Sequence, residues 1–150
     1  MKDEMLILLK DAARRPEAFQ WFGGIPRHEL DGWLRREGIG LPSDILELWE
    51  ATGGGDIFEE TIYRPTVQSP PCAGFVADDI ESTNTRHAAA GKPRAFYIFM
   101  DGSFFSAVHL RDQNFVNLTR SYAITNSFPS LDEWYLRSLK AEFGKRYGLD

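Results

Sequence analysis

Three histidines, one cysteine and a surplus of carboxylates are the residues of this chain that could do chemistry. His28, His87 and His109 show neither an H-x-x-H nor an H-E-x-x-H spacing, so a zinc site would have to gather its ligands from distant places. His109 falls in an alternating apolar stretch and His87 in a short helical run. Each reads first as an ordinary core or surface histidine, with a metal or general-base role as the minor alternative. Cys72, between Pro71 and Ala73, has no histidine near it in sequence, and thiolate activation needs a positive neighbour or a helix N-terminus. Ser43, Ser103 and Ser106 lack a G-x-S-x-G elbow. Gly53-Gly54-Gly55 follows a helical pattern instead of opening one, and no G-K-[ST] comes after it, so these glycines end a helix and do not cradle a phosphate. Glu59 and Glu60 are adjacent in an expected strand, point to opposite faces and make no paired-carboxylate site by themselves. Asp56 with Glu60 offers at most a weak cation site. The residues therefore predict no catalytic centre, no cofactor and no resident metal.

What the carboxylates can do together is set up a field. Residues 41–101 hold four basic residues against ten acidic ones, a net of −6, whereas the chain as a whole carries −5. A region so charged repels nucleic acid and attracts a basic protein surface, speeding encounter by electrostatic steering. The expected pool of partner contacts is Asp44, Glu47, Glu50, Asp56, Glu59, Glu60, Asp78, Asp79 and Glu81, with Tyr63 as an aromatic anchor. Trp49 is a second candidate anchor, but its place in a helical stripe reads more simply as core.

The elements that must position these groups are legible from periodicity. Met5, Leu6, Leu8, Leu9, Ala12 and Ala13 make an amphipathic helix from about Lys2 to Arg14, stopped near Pro16. Pro26 to Glu37 reads as a second helix, with Leu30, Trp33 and Leu34 inward and Gly38 just past its end. Leu41-Pro42-Ser43-Asp44 opens a third, in which Ile45, Leu48, Trp49 and Thr52 share one stripe and Ser43 or Asp44 caps the first turn. Ile57 to Tyr63 has strand composition. Residues 64–94 are broken by prolines and glycines into loop, except for a short helix from Asp78 or Asp79 through His87. Asp101-Gly102-Ser103 between two apolar runs predicts a hairpin, Phe115 to Leu118 continues the meander, and Tyr122 to Thr125 is a last candidate strand. Ser130-Leu131-Asp132-Glu133 is a capping box that opens a long C-terminal helix with Leu131, Tyr135, Leu139 and Phe143 inward. The order predicts an α+β domain spanning residues 1–150, an antiparallel sheet of about four to six strands packed with N-terminal helices and a long C-terminal helix.

Composition near globular averages argues against disorder, and no apolar stretch approaches the ~18 residues of a membrane helix. A single cysteine excludes an internal disulfide, and the acidic start Met1-Lys2-Asp3-Glu4 is unlike a secretory signal, so a cytoplasmic location is expected.

Leu41-Pro42 opening a helix that ends at Thr52-Gly53-Gly54, a sheet containing Asp101-Gly102, and Ser127-Phe128 leading into a terminal helix with Leu131 and Trp134 together resemble the SUKH superfamily, the SMI1/KNR4-like proteins. The resemblance runs from about Ile25 to Phe143; Thr52 stands where the family usually has asparagine, and residues 64–94 match none of its motifs. It implies a domain without catalytic residues, used in bacteria mainly as an immunity protein that binds and neutralises a toxin, often a nuclease, and in fungi as a regulator of cell-wall synthesis and signalling. An acidic inhibitor suits the basic cleft of a nuclease. The expected partner is thus a basic cognate toxin, with neither nucleic acid nor membrane, and with weak homodimerisation through an apolar sheet edge left open. The alternatives are a regulatory scaffold, or a hydrolase or small-molecule binder built on Cys72, His87 or His109.

Overall fold

The computed structural model describes residues 5–66 and 79–149; Cys72 and Asp78 lie outside the described residues. The elements run α1 (Ile7–Arg14), β1 (Phe19–Trp21), α2 (Arg27–Glu37), α3 (Ser43–Thr52), β2 (Gly55–Ile57), β3 (Glu60–Ile62), α4 (Ile80–Ala89), β4 (Phe96–Asp101), β5 (Phe105–His109), β6 (Asn114–Leu118), β7 (Ile124–Phe128), α5 (Leu131–Arg137) and α6 (Leu139–Phe143), closed by a 3-10 turn at Gly144–Tyr147. The strands form two antiparallel sheets, β1-β2-β3 and β4-β5-β6-β7, so the class is α+β and the strands are divided between two sheets instead of sharing one.

α1 starts at Ile7, with Leu6 as its N-cap residue, and not near Lys2 as expected, whereas α2 and α3 end where their sequence signals place them. Gly38 and Gly53 close α2 and α3 in the left-handed region, at φ 68° and 75°. Ile45, Leu48, Trp49 and Thr52 are all buried. The expected cap of α3 is corrected: Pro42 is the N-cap residue and no side chain caps that helix. Asp44 instead accepts the backbone N–H of Leu131 at 3.1 Å, bonding the first turn of α3 to the start of α5. Ile57 to Tyr63 is not one strand but a tight hairpin with Ile57 paired to Glu60. Phe58 takes φ 58°, a strained value for a bulky residue, and its ring is held by Phe19 at 5.3 Å and Tyr147 at 5.0 Å.

In the four-stranded sheet the side chains divide cleanly. Tyr97, Phe99, Val108 and Phe115 join the main core with Trp33, Trp49, Trp134 and Tyr135, while Phe96, Ile98, Phe105, Ala107, Val116 and Leu118 form a second cluster on the opposite face. Each face is apolar because a helix covers each. On the main side Trp134 of α5 donates its indole N–H to Ser106 Oγ at 3.0 Å and to Asn117 Oδ1 at 3.1 Å. On the other, the His87 ring of α4 packs edge-on to Phe105 at 4.7 Å. The last strand begins two residues later than Tyr122, because Tyr122 itself sits at φ 69° in the preceding turn.

The serine half of the expected capping box forms, with Ser130 Oγ accepting the Glu133 N–H at 3.2 Å. The C-terminal helix is about 17 residues long, and Leu131, Tyr135, Leu139 and Phe143 all face inward. It breaks once, at Ser138 (φ −108°, ψ −82°), whose buried hydroxyl accepts from Asn117 Nδ2 at 2.8 Å. β7 is the open edge of the four-stranded sheet, and it exposes Ile124, Thr125, Asn126 and Ser127. The expected apolar edge therefore amounts there to Ile124 alone.

Candidate functional site: two acid-lined clefts

The acidic residues of the central region do not make one continuous wall. The structure gathers Asp44, Glu47 and Glu50 in one cleft and Asp79 and Glu81 in another, at opposite ends of α2 and so about 15 Å apart given the rise of an α-helix, and sets Asp56, Glu59, Glu60 and Asp101 elsewhere. At the start of α2, Arg27 and the α3 residues Ser43, Asp44, Glu47 and Glu50 line a cleft of about 250 Å³. At its end, Trp33, Arg36 and Glu37 face Thr66, Asp79, Glu81 and Ser82 across a cleft of about 320 Å³.

The first cleft follows from helical spacing. Positions 44, 47 and 50 recur every three residues on the side of α3 opposite its buried stripe. Glu50 is exposed and 3.8 Å from Arg27 Nη1, a contact too long and too solvated to contribute much. Glu47 is half-buried, and its Oε2 is enclosed without a hydrogen-bond partner. Asp44, engaged with Leu131, holds the floor of this cleft more than it projects from it.

The second cleft is built by the chain leaving β3. Arg64 bridges to Asp79, and its carbonyl accepts the Ile80 N–H at 2.9 Å, so the segment carrying Thr66 lies against the start of α4. Asp79 caps α4 by accepting the Ser82 N–H at 2.7 Å. Burial pushes the Asp79 carboxyl up, but the Ser82 N–H and hydroxyl and the Thr66 hydroxyl outweigh it and hold the group below its usual range. Glu81 is a hub: it accepts the Trp33 indole N–H, the Thr66 hydroxyl and the Thr66 N–H, the last at 2.9 and 3.2 Å to its two oxygens. Arg36 Nη2 donates to Thr66 O at 3.0 Å on the rim. Glu37 has its pKa raised, by partial burial and then by the negative charge of Glu81.

Several expected contacts are thereby corrected. Glu60 is 6% exposed and spends its carboxylate on Ser103, accepting the hydroxyl at 2.7 Å and the N–H at 3.1 Å; it closes the β4–β5 turn and is not available to a partner. The tight hairpin turns it inward, and no local sequence signal announces that turn. Asp56 accepts the Thr61 hydroxyl at 2.7 Å across the same hairpin, and Glu59 is paired with Arg146 in the open. Tyr63 is no projecting anchor, because its hydroxyl donates to Asp101 and its N–H to Phe99 O at 3.0 Å. Trp49 is core, fully buried, with its indole donating to Tyr63 O at 3.0 Å.

Glu37, which lines the second cleft, was missed. Glu37 had a signal: a carboxylate in the last turn of a helix faces the negative end of the helix dipole and is locally unfavourable.

His87 belongs to a third constellation. Its Nε2 lies 2.9 Å from Asp101 Oδ2 and its Nδ1 2.8 Å from the Tyr122 hydroxyl, while Arg86 Nη2 reaches the same Asp101 oxygen at 2.8 Å. A neutral ring that donates from Nε2 to the carboxylate accepts from Tyr122 at Nδ1. Both nitrogens are then occupied in a buried ring, which ties α4 to β4 and to the β6–β7 turn. Among the described residues no group of three or more histidine, cysteine, aspartate or glutamate side chains is arranged to hold a metal ion. No helix among them is long and apolar enough to cross a membrane. Compared with protein-family models and with curated proteins, the chain matches none.

Proposed function

We propose that the chain is a non-catalytic, cytoplasmic protein-binding module that offers its two acidic clefts to a basic protein, and that this partner is a toxin which it neutralises by occupying a cationic site. The resemblance to the SUKH superfamily suggests the immunity role. The observation that carries the docking role is the α3 cleft, where Glu47 and Glu50 join Asp44 around a single guanidinium and Glu47 keeps an enclosed oxygen without a partner. An enclosed, unsatisfied carboxylate oxygen is costly in the isolated protein, and a cation delivered by another surface would relieve that cost. The occupied nitrogens of His87 favour this reading over a hydrolase.

Charge reversal tests it. Glu47→Lys with Glu50→Lys is expected to weaken binding to the product of the adjacent open reading frame by about a hundredfold or more, mostly through association and rim repulsion, without loss of the thermal transition. A folded double variant that binds that product as tightly as the parent would overturn the proposal.

A further inference from the structure

We infer that the groove between β7 and the break in the C-terminal helix is a binding site for a carboxylate group, held by the Arg137 guanidinium at the rim and by the Ser138 hydroxyl and the Asn117 amide at the floor. The site shares no residue with either acidic cleft and does not depend on the docking reading above. It has a volume of about 390 Å³, and Asn117 and Ser138, each only 6% exposed, line it. A chain of hydrogen bonds fixes which way these two polar groups face. The Trp134 indole can only donate, so the atom it meets at 3.1 Å is Asn117 Oδ1, which also accepts the Ser106 hydroxyl at 2.8 Å. The amide nitrogen is thereby turned to Ser138 Oγ, to which it donates at 2.8 Å. An amide nitrogen accepts nothing, so the Ser138 proton has to be given elsewhere, and among the described residues no acceptor takes it; one of the two Asn117 N–H groups is likewise left over. Buried donors without an acceptor are costly, so a groove floored by two of them is arranged for a ligand that accepts.

The donors select the ligand. A floor that offers hydrogens suits an oxygen acceptor and turns away a metal ion. Arg137 is exposed, lines the groove and forms no ion pair among the described residues, and its forked guanidinium matches the two oxygens of a carboxylate. Glu142, also exposed, lines the same groove and balances the arginine, so the lining carries no net charge and a singly charged carboxylate meets less repulsion there than a phosphate dianion. Phe104 and Ala141 give an apolar wall to the carbon skeleton that bears the group. Two bearers present this chemistry: a small free carboxylate, or an acidic side chain on an extended peptide lying along β7, the open edge strand whose exposed Thr125 and Asn126 also line the groove.

The test is an NMR titration of the full chain with sodium acetate, with acetyl-Ala-Asp-Ala-amide and its asparagine counterpart, and with inorganic phosphate, followed at the Trp134 indole N–H and the Asn117 side-chain amide. A carboxylate is expected to shift both signals in a saturable way; equal saturation by acetate and by the aspartate peptide assigns the site to a small carboxylate, and saturation by the peptide at a concentration at least about tenfold lower assigns it to an acidic peptide. The asparagine peptide is expected to leave both signals still, and phosphate to bind more weakly than the tighter carboxylate. Arg137→Gln is expected to weaken the carboxylate about tenfold and Glu142→Gln to tighten it several-fold, and both side chains are exposed, so neither change disturbs the core. Ser138→Ala removes the floor hydroxyl and is expected to weaken binding by a similar factor to Arg137→Gln; should it lose its thermal transition, the two rim variants carry the test. No saturable shift with either carboxylate up to about 10 mM, asparagine peptide or phosphate binding as tightly as the carboxylate, or undiminished binding by Arg137→Gln would overturn the inference.

Discussion

Asn84 grips the backbone of Ile98 with both ends of its side-chain amide: Nδ2 donates to the Ile98 carbonyl and Oδ1 accepts the Ile98 N–H, each at 2.8 Å. β4 is an edge strand, and such an edge would otherwise present unpaired N–H and C=O groups. The amide fills one such position and Tyr63 the next, at Phe99. Because Asn84 also donates to Ile80 O at 2.9 Å, the clamp fixes α4 on the sheet and with it Asp79 and Glu81 at the second cleft.

Asn84→Ala is expected to lower unfolding free energy by about 2–4 kcal/mol, since it leaves a buried N–H and C=O unmet. Asn84→Asp keeps the acceptor but loses the donors and is expected to cost nearly as much. Urea denaturation measures both; a loss below about 0.5 kcal/mol for each would show that the clamp carries no stability.

Gly53 and Gly38 have similar left-handed φ, yet their replacements are expected to differ. A Cβ at Gly53 would lie 1.8 Å from Gly23 O, whereas at Gly38 nothing lies within 4 Å. Gly38→Ala is expected to cost about 1 kcal/mol, the conformational penalty alone, and Gly53→Ala at least twice that because backbone must move. Equal costs in thermal or urea unfolding would contradict the close approach of the two glycine segments.

Alkaline titration reads two buried phenols. Burial is the first cause that raises Tyr97 and Tyr135; the charges of Glu81, Glu37 and Asp79 add to it at Tyr97, and the Asp11 carboxylate, which accepts the Tyr135 hydroxyl at 2.7 Å, adds to it at Tyr135. Above the ordinary tyrosine pKa of about 10 the unfolded chain releases these protons and the folded one keeps them, so stability is expected to fall as pH climbs past that value. Tyr97 and Tyr135 are expected to ionise only together with loss of the native circular dichroism. Ionisation of both before any structural change would contradict their burial.

Glu81→Gln removes a charge beside Glu37 while leaving an oxygen for Trp33 and Thr66. The Glu37 titration midpoint, followed by carboxyl-carbon NMR, is expected to move down toward the ordinary 4.5. An unchanged midpoint would mean that Glu81 does not act on Glu37.

Local signals carried most of the architecture. The glycine ends of α2 and α3, the Asp79 cap, the Asp101-Gly102 hairpin and the Ser130 side-chain cap each depend on residues a few positions apart, and each formed. What escaped depends on distant partners. Asp44 looks like a cap for its own helix but bonds Leu131, 87 positions away. Glu60 turns inward because Ser103 awaits it, and Ser138 breaks the last helix beside Asn117. The site was half legible for the same reason: helical spacing brings Glu47 and Glu50 together, whereas joining Glu37 to Asp79 and Glu81 takes the packing of α2 against the start of α4.

The central claim is that folded acidic clefts clasp a cationic protein. Isothermal titration of the full chain with the product of the adjacent open reading frame, at about 50 and about 500 mM NaCl, tests it most directly. The account predicts a one-to-one complex whose Kd rises at least tenfold with the added salt. No complex at low salt, or one whose Kd is indifferent to salt, would contradict it.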